Sequence, residues 1–188
     1  MNICVLFGSP HKKGNTAALV DKYLSAQSDS SVLKRFDVVK MEIHPCMGCM
    51  ACKKTGKGCI QRDDMDEIYP AITEADVIVF ASPMYWWNVS GSLKNVIDRI
   101  FALPFNRKTG PSVLEGKKLQ MIITSGQPES EWLRSELESM GKKMCDFTGM
   151  QWLGIVAAGN TGEISVDKQP EALKKAFMAG STLANQEI

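Results

Sequence analysis

Apolar residues follow two alternating patterns along the chain, and these predict strands and helices in turn. Five segments are rich in apolar residues without polar alternation, which is typical of strands covered on both faces; they are residues 2–7, 35–41, 75–82, 117–125 and 150–159. In the segments between and after them, apolar residues recur three and four positions apart, as on one face of a helix; these are residues 16–27, 64–75, 92–103, 129–145 and 170–184. The sequence therefore predicts five strands alternating with five helices.

This alternation predicts an α/β fold in three layers, an α/β/α sandwich with a parallel sheet in the middle. Five strands suit the flavodoxin-like order 2-1-3-4-5, which is one of the two common orders for such sheets. A length of 188 residues fits a single domain over residues 1–188, because one hydrophobic core can serve a chain of this size. Ligands of such sheets bind beyond the carboxyl ends of the strands, so the loops after the first, third and fourth strands are the places to search.

Composition and charge narrow the classes of function. Hydrophobic residues make up 44% and charged residues 23% of the chain, which are ordinary values for a globular protein. A net charge of +1 offers no excess of basic residues for nucleic acid or for a membrane surface. The first ten residues lack the features of a secretory signal, and no segment is long and apolar enough to span a membrane. We therefore expect a cytoplasmic protein, whose thiols stay reduced.

The loop after the first strand, GSPHKKGNT at residues 8–16, predicts a phosphate site. It combines short polar side chains with glycines that permit close backbone approach, and it leads directly into a helix whose free N–H groups attract an anion. The alternative is that its Ser, Asn and Thr residues only cap the helix. The glycine spacing matches neither the dinucleotide-binding fingerprint nor the phosphate loop of nucleotide triphosphatases.

The loop after the third strand predicts a platform for a flat ring. Residues 82–99 read SPMYWWNVSGSLKNVIDR, and the three consecutive aromatic residues, Tyr85, Trp86 and Trp87, cannot all face one core. Exposed aromatics usually mark an interface or a ligand site, although a partly buried apolar patch is an alternative. After the fourth strand, the small residues of TSGQPE (124–129) could approach a polar ring edge, although a plain turn would look the same.

The three loops together resemble those of the NAD(P)H-dependent FMN reductases, a branch of the flavodoxin-like superfamily. The resemblance implies FMN, with its phosphate in the first loop and its isoalloxazine ring between the other two. It also implies a homodimer or a homotetramer. The cofactor-binding residues that it implies are Ser9, His11, Lys13, Gly14, Asn15, Thr16, Pro83, Met84, Tyr85, Trp86, Ser125 and Gly126.

A cysteine-rich loop at residues 44–62 carries a second candidate site. Cys46, Cys49, Cys52 and Cys59 resemble the motif of the iron–sulfur flavoproteins, which insert a [4Fe–4S] cluster at this point of the same fold. Three thiolates at this spacing can wrap three corners of a cubane, and the glycines before Cys59 allow the fourth to approach. A structural zinc ion is an alternative, although it usually takes two separated pairs of cysteines. A disulfide or a group of free, redox-active thiols is another.

We therefore expect an FMN-dependent oxidoreductase that accepts hydride from NADH or NADPH. Its electrons would pass to a quinone, a second flavin, a nitro compound or a redox protein, the last through the cluster. Such chemistry belongs to the cofactor and needs no catalytic acid, and the sequence shows neither a catalytic triad nor a pair of carboxylates. The alternatives are an FMN electron carrier that does not turn over nicotinamide, and a thiol or metal redox sensor.

Overall fold

The computed structural model describes residues 1–104 and 112–184; residues 105–111 and 185–188 of the predicted domain lie outside the described residues. A single parallel sheet of five strands runs through it in the order β2-β1-β3-β4-β5. The strands are β1 (Asn2–Phe7), β2 (Val32–Asp37), β3 (Val77–Pro83), β4 (Lys118–Thr124) and β5 (Gln151–Ala158). The predicted α/β class, strand order and flavodoxin-like sandwich are confirmed.

The described residues form six α-helices between and after these strands, where the sequence predicted five. They are α1 (Asn15–Leu24), α2 (Ala51–Thr55), α3 (Met65–Glu74), α4 (Gly91–Ile100), α5 (Glu131–Thr148) and α6 (Pro170–Ala184), and a 3₁₀ turn (Val166–Lys168) precedes α6. The additional helix, α2, lies inside the cysteine-rich loop and has five residues. A single turn of this length is too short to produce an amphipathic period, so the hydrophobic pattern could not indicate it.

The predicted bounds of the second strand, 35–41, are wrong. β2 covers Val32–Asp37 and pairs in register with β1 from Asn2↔Val32 to Phe7↔Asp37. As an edge strand it is mostly exposed, so no continuous apolar run marks it. The apolar residue that follows, Val38, is buried in the connection after the strand and shifted the prediction toward the carboxyl end.

Two hydrophobic cores lie on opposite faces of the sheet and define the three layers. Along β1, Cys4 and Leu6 belong to the core beneath α3, α4 and α5, whereas Ile3 and Val5 belong to the core beneath α1 and α6. Successive residues of a strand point to opposite faces, so both faces of this central strand are covered. Cys4 and Cys145 are buried in this way, and burial raises the pKa of their thiols to about 12 and about 11.

The connections after β1, β3 and β4 leave the sheet at the same edge, because all five strands run in one direction. Gly8 follows the last residue of β1 at this edge and donates its N–H to the carbonyl of Ala81 in β3 at 2.8 Å. A Cβ atom at Gly8 would stand 2.7 Å from both the Cβ of Leu93 and the Oγ of Ser90. The first loop is thus packed directly against the start of α4.

No helix in the described part of the chain is long and apolar enough to cross a bilayer.

A methyl group at Gly8 should therefore destabilise the fold. We expect Gly8→Ala to lower the free energy of unfolding by about 1–3 kcal/mol, the usual cost of overpacking a site whose neighbours are fixed. The measurement is equilibrium unfolding in urea. Gly162→Ala is the matched control, because a Cβ there meets no atom within 4 Å, and its effect should stay within about 0.5 kcal/mol. Equal stability of the two variants would contradict the packing described for Gly8.

Candidate functional site

The first loop leads into a helix whose amino terminus has no side-chain cap. Gly14 occupies the N-cap position of α1, and no side chain among the described residues accepts a hydrogen bond there. The alternative that Ser, Asn and Thr serve only to cap this helix is therefore wrong. The first N–H groups of a helix have no partner within the helix, and together with the helix dipole they favour an anion. The amino end of α1 is therefore suited to a phosphate.

The side chains of Asn15 and Thr16 are engaged with the protein. The Asn15 amide donates to the carbonyl of Thr161 at 3.1 Å and accepts from the N–H of Val166 at 2.9 Å, so it ties the loop after β5 to the first loop. Thr16 is buried and shares a 2.8 Å hydrogen bond with the hydroxyl of Thr124 in β4. The side chains of these two residues thus hold the loop in place.

The remaining residues predicted for the phosphate lie around the same turn. Ser9 is buried, and its hydroxyl accepts a 3.3 Å hydrogen bond from the N–H of His11. Gly14 donates to the carbonyl of His11 at 3.1 Å, which closes the turn. His11 and Lys13 are exposed. Lys12, beside them, forms a 2.9 Å ion pair with Asp37 at the end of β2.

A cavity of about 710 Å³ opens beside this edge of the sheet, between the loops after β3 and β4. We call it the ring cavity; its lining residues are Met84, Trp86, Trp87, Ser125, Gly126, Gln127, Pro128, Ser130, Trp132 and Leu133. Four of the six residues predicted for the flavin ring are among them. Pro83 ends β3 and Tyr85 is exposed on the turn, and neither belongs to the lining. None of the described lining residues is ionisable.

Sequence reasoning missed one wall of the ring cavity. Trp132 lies in the first turn of α5, and its ring centroid is 6.1 Å from that of Trp87 in an edge-to-face arrangement. The only signal in the sequence was its position seven residues after Ser125, near the carboxyl end of β4. Trp87 was recognised as one of three aromatics but was not assigned to the site.

Hydrogen bonds fix the two loops that enclose the ring cavity. The N–H of Met84 donates to the carbonyl of Thr124 at 2.7 Å, which extends the pairing of β3 with β4 into the site. Ser82 accepts a 2.8 Å hydrogen bond from the N–H of Ser90, the N-cap residue of α4. The Ser125 hydroxyl donates to the carbonyl of Gln127 at 2.9 Å. The cavity walls are therefore continuous with the sheet.

The four cysteines of the 44–62 loop line a second cavity of about 590 Å³, which we call the cysteine cavity. All four are free thiols; Cys46 and Cys49 are exposed, and Cys52 and Cys59 are half-buried. Within the described residues, no three Cys, His, Asp or Glu side chains stand close enough together to form a metal site. Gly56 and Gly58 both have positive φ, a conformation that glycine adopts without strain and that reverses the chain before Cys59.

A buried ion pair fastens both ends of the cysteine loop. Arg99, on α4, donates to the Asp63 carboxylate at 2.6 and 3.1 Å and to the carbonyl of His44 at 2.8 Å. The two charged side chains are 1% and 0% exposed. Burial alone would raise the pKa of Asp63, but hydrogen bonds from Arg99, His44 and Met65 hold it below its ordinary value. The pair joins residue 44 to residue 63 across the whole loop.

Arg99 also borders the cysteine cavity. Its Nε–H is buried without a hydrogen-bond partner among the described residues. A guanidinium at the border of a cavity lined by four thiols suits an anionic group in that cavity, such as a thiolate-bound cluster.

Helix α5 connects the two cavities. Leu133, near its amino end, lines the ring cavity, and Met140, two turns later, lines the cysteine cavity. Since an α-helix rises about 1.5 Å per residue, these positions are roughly 10 Å apart along its axis. The two candidate sites therefore share one rigid element.

Comparison with known proteins places the chain in a family. Residues 1–179 match the pattern of the family described as having a flavodoxin-like fold. An iron–sulfur flavoprotein of Archaeoglobus fulgidus is 31% identical over 180 residues, which cover 95% of this chain and 77% of that protein. Two iron–sulfur flavoproteins of Methanocaldococcus jannaschii are also similar, and across these three relatives the matched region spans 51% to 77% of the relative's own length.

Solved structures show the same fold at low sequence identity. An NAD(P)H:quinone oxidoreductase from Methanothermobacter marburgensis superimposes with a TM-score of 0.74 at 19% identity, over 97% of this chain and 96% of that one. An FMN-dependent NADH-azoreductase from Bacillus anthracis, solved in complex with FMN, gives 0.68 at 17% identity, over 98% and 100%.

Breaking the buried ion pair should destabilise the protein strongly. We expect Asp63→Asn to lower the free energy of unfolding by about 3–5 kcal/mol at neutral pH, because it leaves the Arg99 charge buried without its partner. Chemical denaturation measures this loss. The control is Asp66→Asn, which removes an exposed ion pair with Arg62 and should cost about 0.5 kcal/mol or less.

The same variant should show a characteristic pH dependence. The folded pKa of Asp63 lies below its ordinary value, so the stability it contributes is complete above the unfolded pKa of about 3.9 and is lost as the pH falls through the folded pKa. The difference between the wild type and Asp63→Asn should therefore be full at neutral pH and close in acid. A difference that stayed constant down to pH values well below the unfolded pKa would contradict this role of the carboxylate.

Proposed function

The chain belongs to the flavodoxin-like family, and on that premise we propose that it is an oxidoreductase that binds FMN and accepts hydride from NADH or NADPH. The observation that carries the proposal is the meeting of an uncapped helix terminus and an aromatic-walled cavity at one edge of the sheet. The FMN-dependent NADH-azoreductase and the NAD(P)H:quinone oxidoreductase that share this fold support the same chemistry.

The FMN phosphate is proposed to bind at the amino end of α1. Backbone N–H groups of Asn15 and Thr16 donate to it, and the close turn at Gly14 lets the phosphate approach the helix axis. Ser9 contributes its hydroxyl from the base of the loop, while His11 and Lys13 lie at its exposed side. The positive end of the helix dipole adds to the attraction.

The isoalloxazine ring is proposed to occupy the ring cavity. Met84 and Trp86, which line the cavity, contact one side of the ring, and the backbone at Ser125–Gly126 contacts its polar edge. Pro83 and Tyr85 precede and separate these two residues in the chain and hold the turn that presents them. FMN supplies the chemistry when it is bound, by accepting a hydride and passing on electrons. The chain contributes position and the exclusion of water. The absence of ionisable groups from the described lining suits a hydride transfer, which requires no protein acid.

The four cysteines are proposed to hold a [4Fe–4S] cluster. The iron–sulfur flavoprotein of Archaeoglobus fulgidus supports this assignment, and so does the Arg99 side chain, which borders the cavity that the four thiols line. Such a cluster would carry single electrons to a redox protein, whereas a quinone, a second flavin or a nitro compound takes electrons from the flavin. Exposed apolar residues near the thiols, Met47 and Ile60, offer a surface for a protein partner.

The proposal includes assembly as a homodimer or homotetramer in the cytoplasm.

Flavin binding and reduction test the main proposal. We expect the purified protein to carry about one FMN per chain and its visible flavin absorption to bleach when NADH or NADPH is added without oxygen. Stopped-flow absorbance measures the rate. A protein that binds FMN but is reduced by neither nucleotide would instead be an electron carrier. A protein that takes up no FMN would refute the proposal and leave the redox-sensor alternative.

Metal analysis of cysteine variants tests the cluster. We expect about four irons and four sulfides per chain in protein purified without oxygen, and a loss of most of this iron in Cys49→Ser with FMN retained. Cys145→Ala is the control, since this thiol is buried in the core and should leave the iron content unchanged. Zinc in place of iron would identify a structural metal site, and a metal-free protein would indicate free thiols.

A further inference from the structure

The loop after β5, residues 159–165, folds back onto the loop after β4. Asn160 has a φ of +54°, a left-handed conformation that asparagine adopts more readily than most residues. Its N–H donates to the carbonyl of Gln127 at 2.9 Å, and Gln127 lines the ring cavity. The reversal at Asn160 brings Thr161 to Ser125, directly after β4. The loop after β5 is therefore a fourth connection at the edge where FMN is proposed to bind.

Thr161 holds the carbonyl of Ser125 with two donors. The Thr161 N–H donates to this carbonyl at 3.0 Å and the Thr161 hydroxyl donates to it at 2.9 Å. The N–H of Ser125 donates to the carbonyl of Ala158 at 2.9 Å, and its hydroxyl donates to the carbonyl of Gln127 at 2.9 Å. Ser125 is buried, and its two backbone polar groups and its hydroxyl proton are all used within the protein.

The direction of the Gly126 N–H follows from the planarity of the peptide group. The carbonyl of Ser125 and the N–H of Gly126 belong to one peptide, and in the trans form they point in opposite directions. Thr161 holds the carbonyl on the side of the loop after β5, so the N–H points to the other side. Gly126 is exposed and lines the ring cavity, and within the described part of the chain nothing accepts a hydrogen bond from its N–H. This backbone donor stands free at the cavity wall, turned away from Thr161.

Asn15 fixes the loop after β5 from the opposite side. Its amide donates to the carbonyl of Thr161 at 3.1 Å and accepts from the N–H of Val166 at 2.9 Å. Asn15 is the first residue of α1, at the helix terminus where the FMN phosphate is proposed to bind. Thr161 is therefore held by the phosphate loop through its carbonyl, and it in turn holds the loop of the ring cavity through its N–H and hydroxyl.

We propose that Thr161 is a positioning residue for the flavin, which orients the Ser125–Gly126 peptide so that the Gly126 N–H donates to the polar edge of the bound ring. The inference rests on the proposed function and assigns a role to a loop that the sequence did not indicate. A hydrogen bond is stronger when its acceptor carries more negative charge, so this donor favours the reduced, electron-rich ring. Hydrogen bonds to the ring are one of the means by which a protein tunes its flavin.

The midpoint potential of the flavin tests this role. Thr161→Val keeps the shape and the N–H of the residue and removes one of the two donors to Ser125. In the holoprotein we expect the equilibrium constant for reduction of FMN to fall about fivefold, which lowers a two-electron potential by about 20 mV. Reductive titration against a reference dye measures it. Thr161→Ser retains the hydroxyl and should stay within about 1.5-fold of the wild type. Thr182→Val is the matched control, because it removes a hydroxyl-to-carbonyl bond of the same 2.9 Å length on α6, and it should leave the potential unchanged.

A second measurement needs no variant. We expect solvent exchange of the Gly126 amide proton, measured by NMR, to slow by about tenfold or more when FMN binds, because the N–H then has an acceptor. This result tests the proposal even if Thr161→Val does not fold.

Both measurements separate this inference from the proposed function, because neither uses a nicotinamide nucleotide. Wild-type protein that takes up no FMN would refute the proposed function and this inference with it. Protein that binds FMN but shows the wild-type potential in Thr161→Val, or an unchanged exchange rate at Gly126, would overturn this inference alone.

Discussion

The common direction of the five strands is the constraint on which the candidate site depends. Each strand ends at the same edge of the sheet, so loops that are far apart in the chain, at residues 8–16, 84–90 and 125–130, come together there. Helices on both faces bury the sheet between them, whereas the aromatic side chains of Tyr85 and Trp86 in the loop at this edge reach solvent. The ring cavity is lined by residues from the loops after β3 and after β4, so it exists within no single βα unit.

The buried Arg99–Asp63 pair attaches both ends of the cysteine loop to α4. The N-cap residue of α4, Ser90, is hydrogen-bonded to Ser82 of β3, and Arg99, one residue before the end of α4, borders the cysteine cavity. A buried ion pair offsets a large desolvation cost only when its geometry is good and its remaining hydrogen bonds are made. Here the carboxylate also accepts from the N–H groups of His44 and Met65. The result is a loop whose interior is exposed and whose two ends are fixed.

The sequence specified the central strands well and the periphery less well. β1 lies where it was predicted, over residues 2–7, because a strand buried on both faces requires a continuous apolar run. The predicted bounds of β2 were displaced because an exposed edge strand does not require a continuous apolar run. The contribution of Trp132 could not be read from the pattern, since its partner, Trp87, is 45 positions away and only the packing of α5 brings them together. The positive φ of Trp87 likewise has no signature in an aromatic sequence.

The uncapped amino end of α1 links the stability of this protein to any anion that binds there. N–H groups that lack a side-chain acceptor are completed by water or by a bound anion, and the unfolded chain has no such terminus. Mass action then links anion binding to folding. Once the anion concentration exceeds the dissociation constant, each further tenfold rise in that concentration adds about 1.4 kcal/mol to the free energy of unfolding. Buffer composition thereby becomes part of the thermodynamic description of the fold.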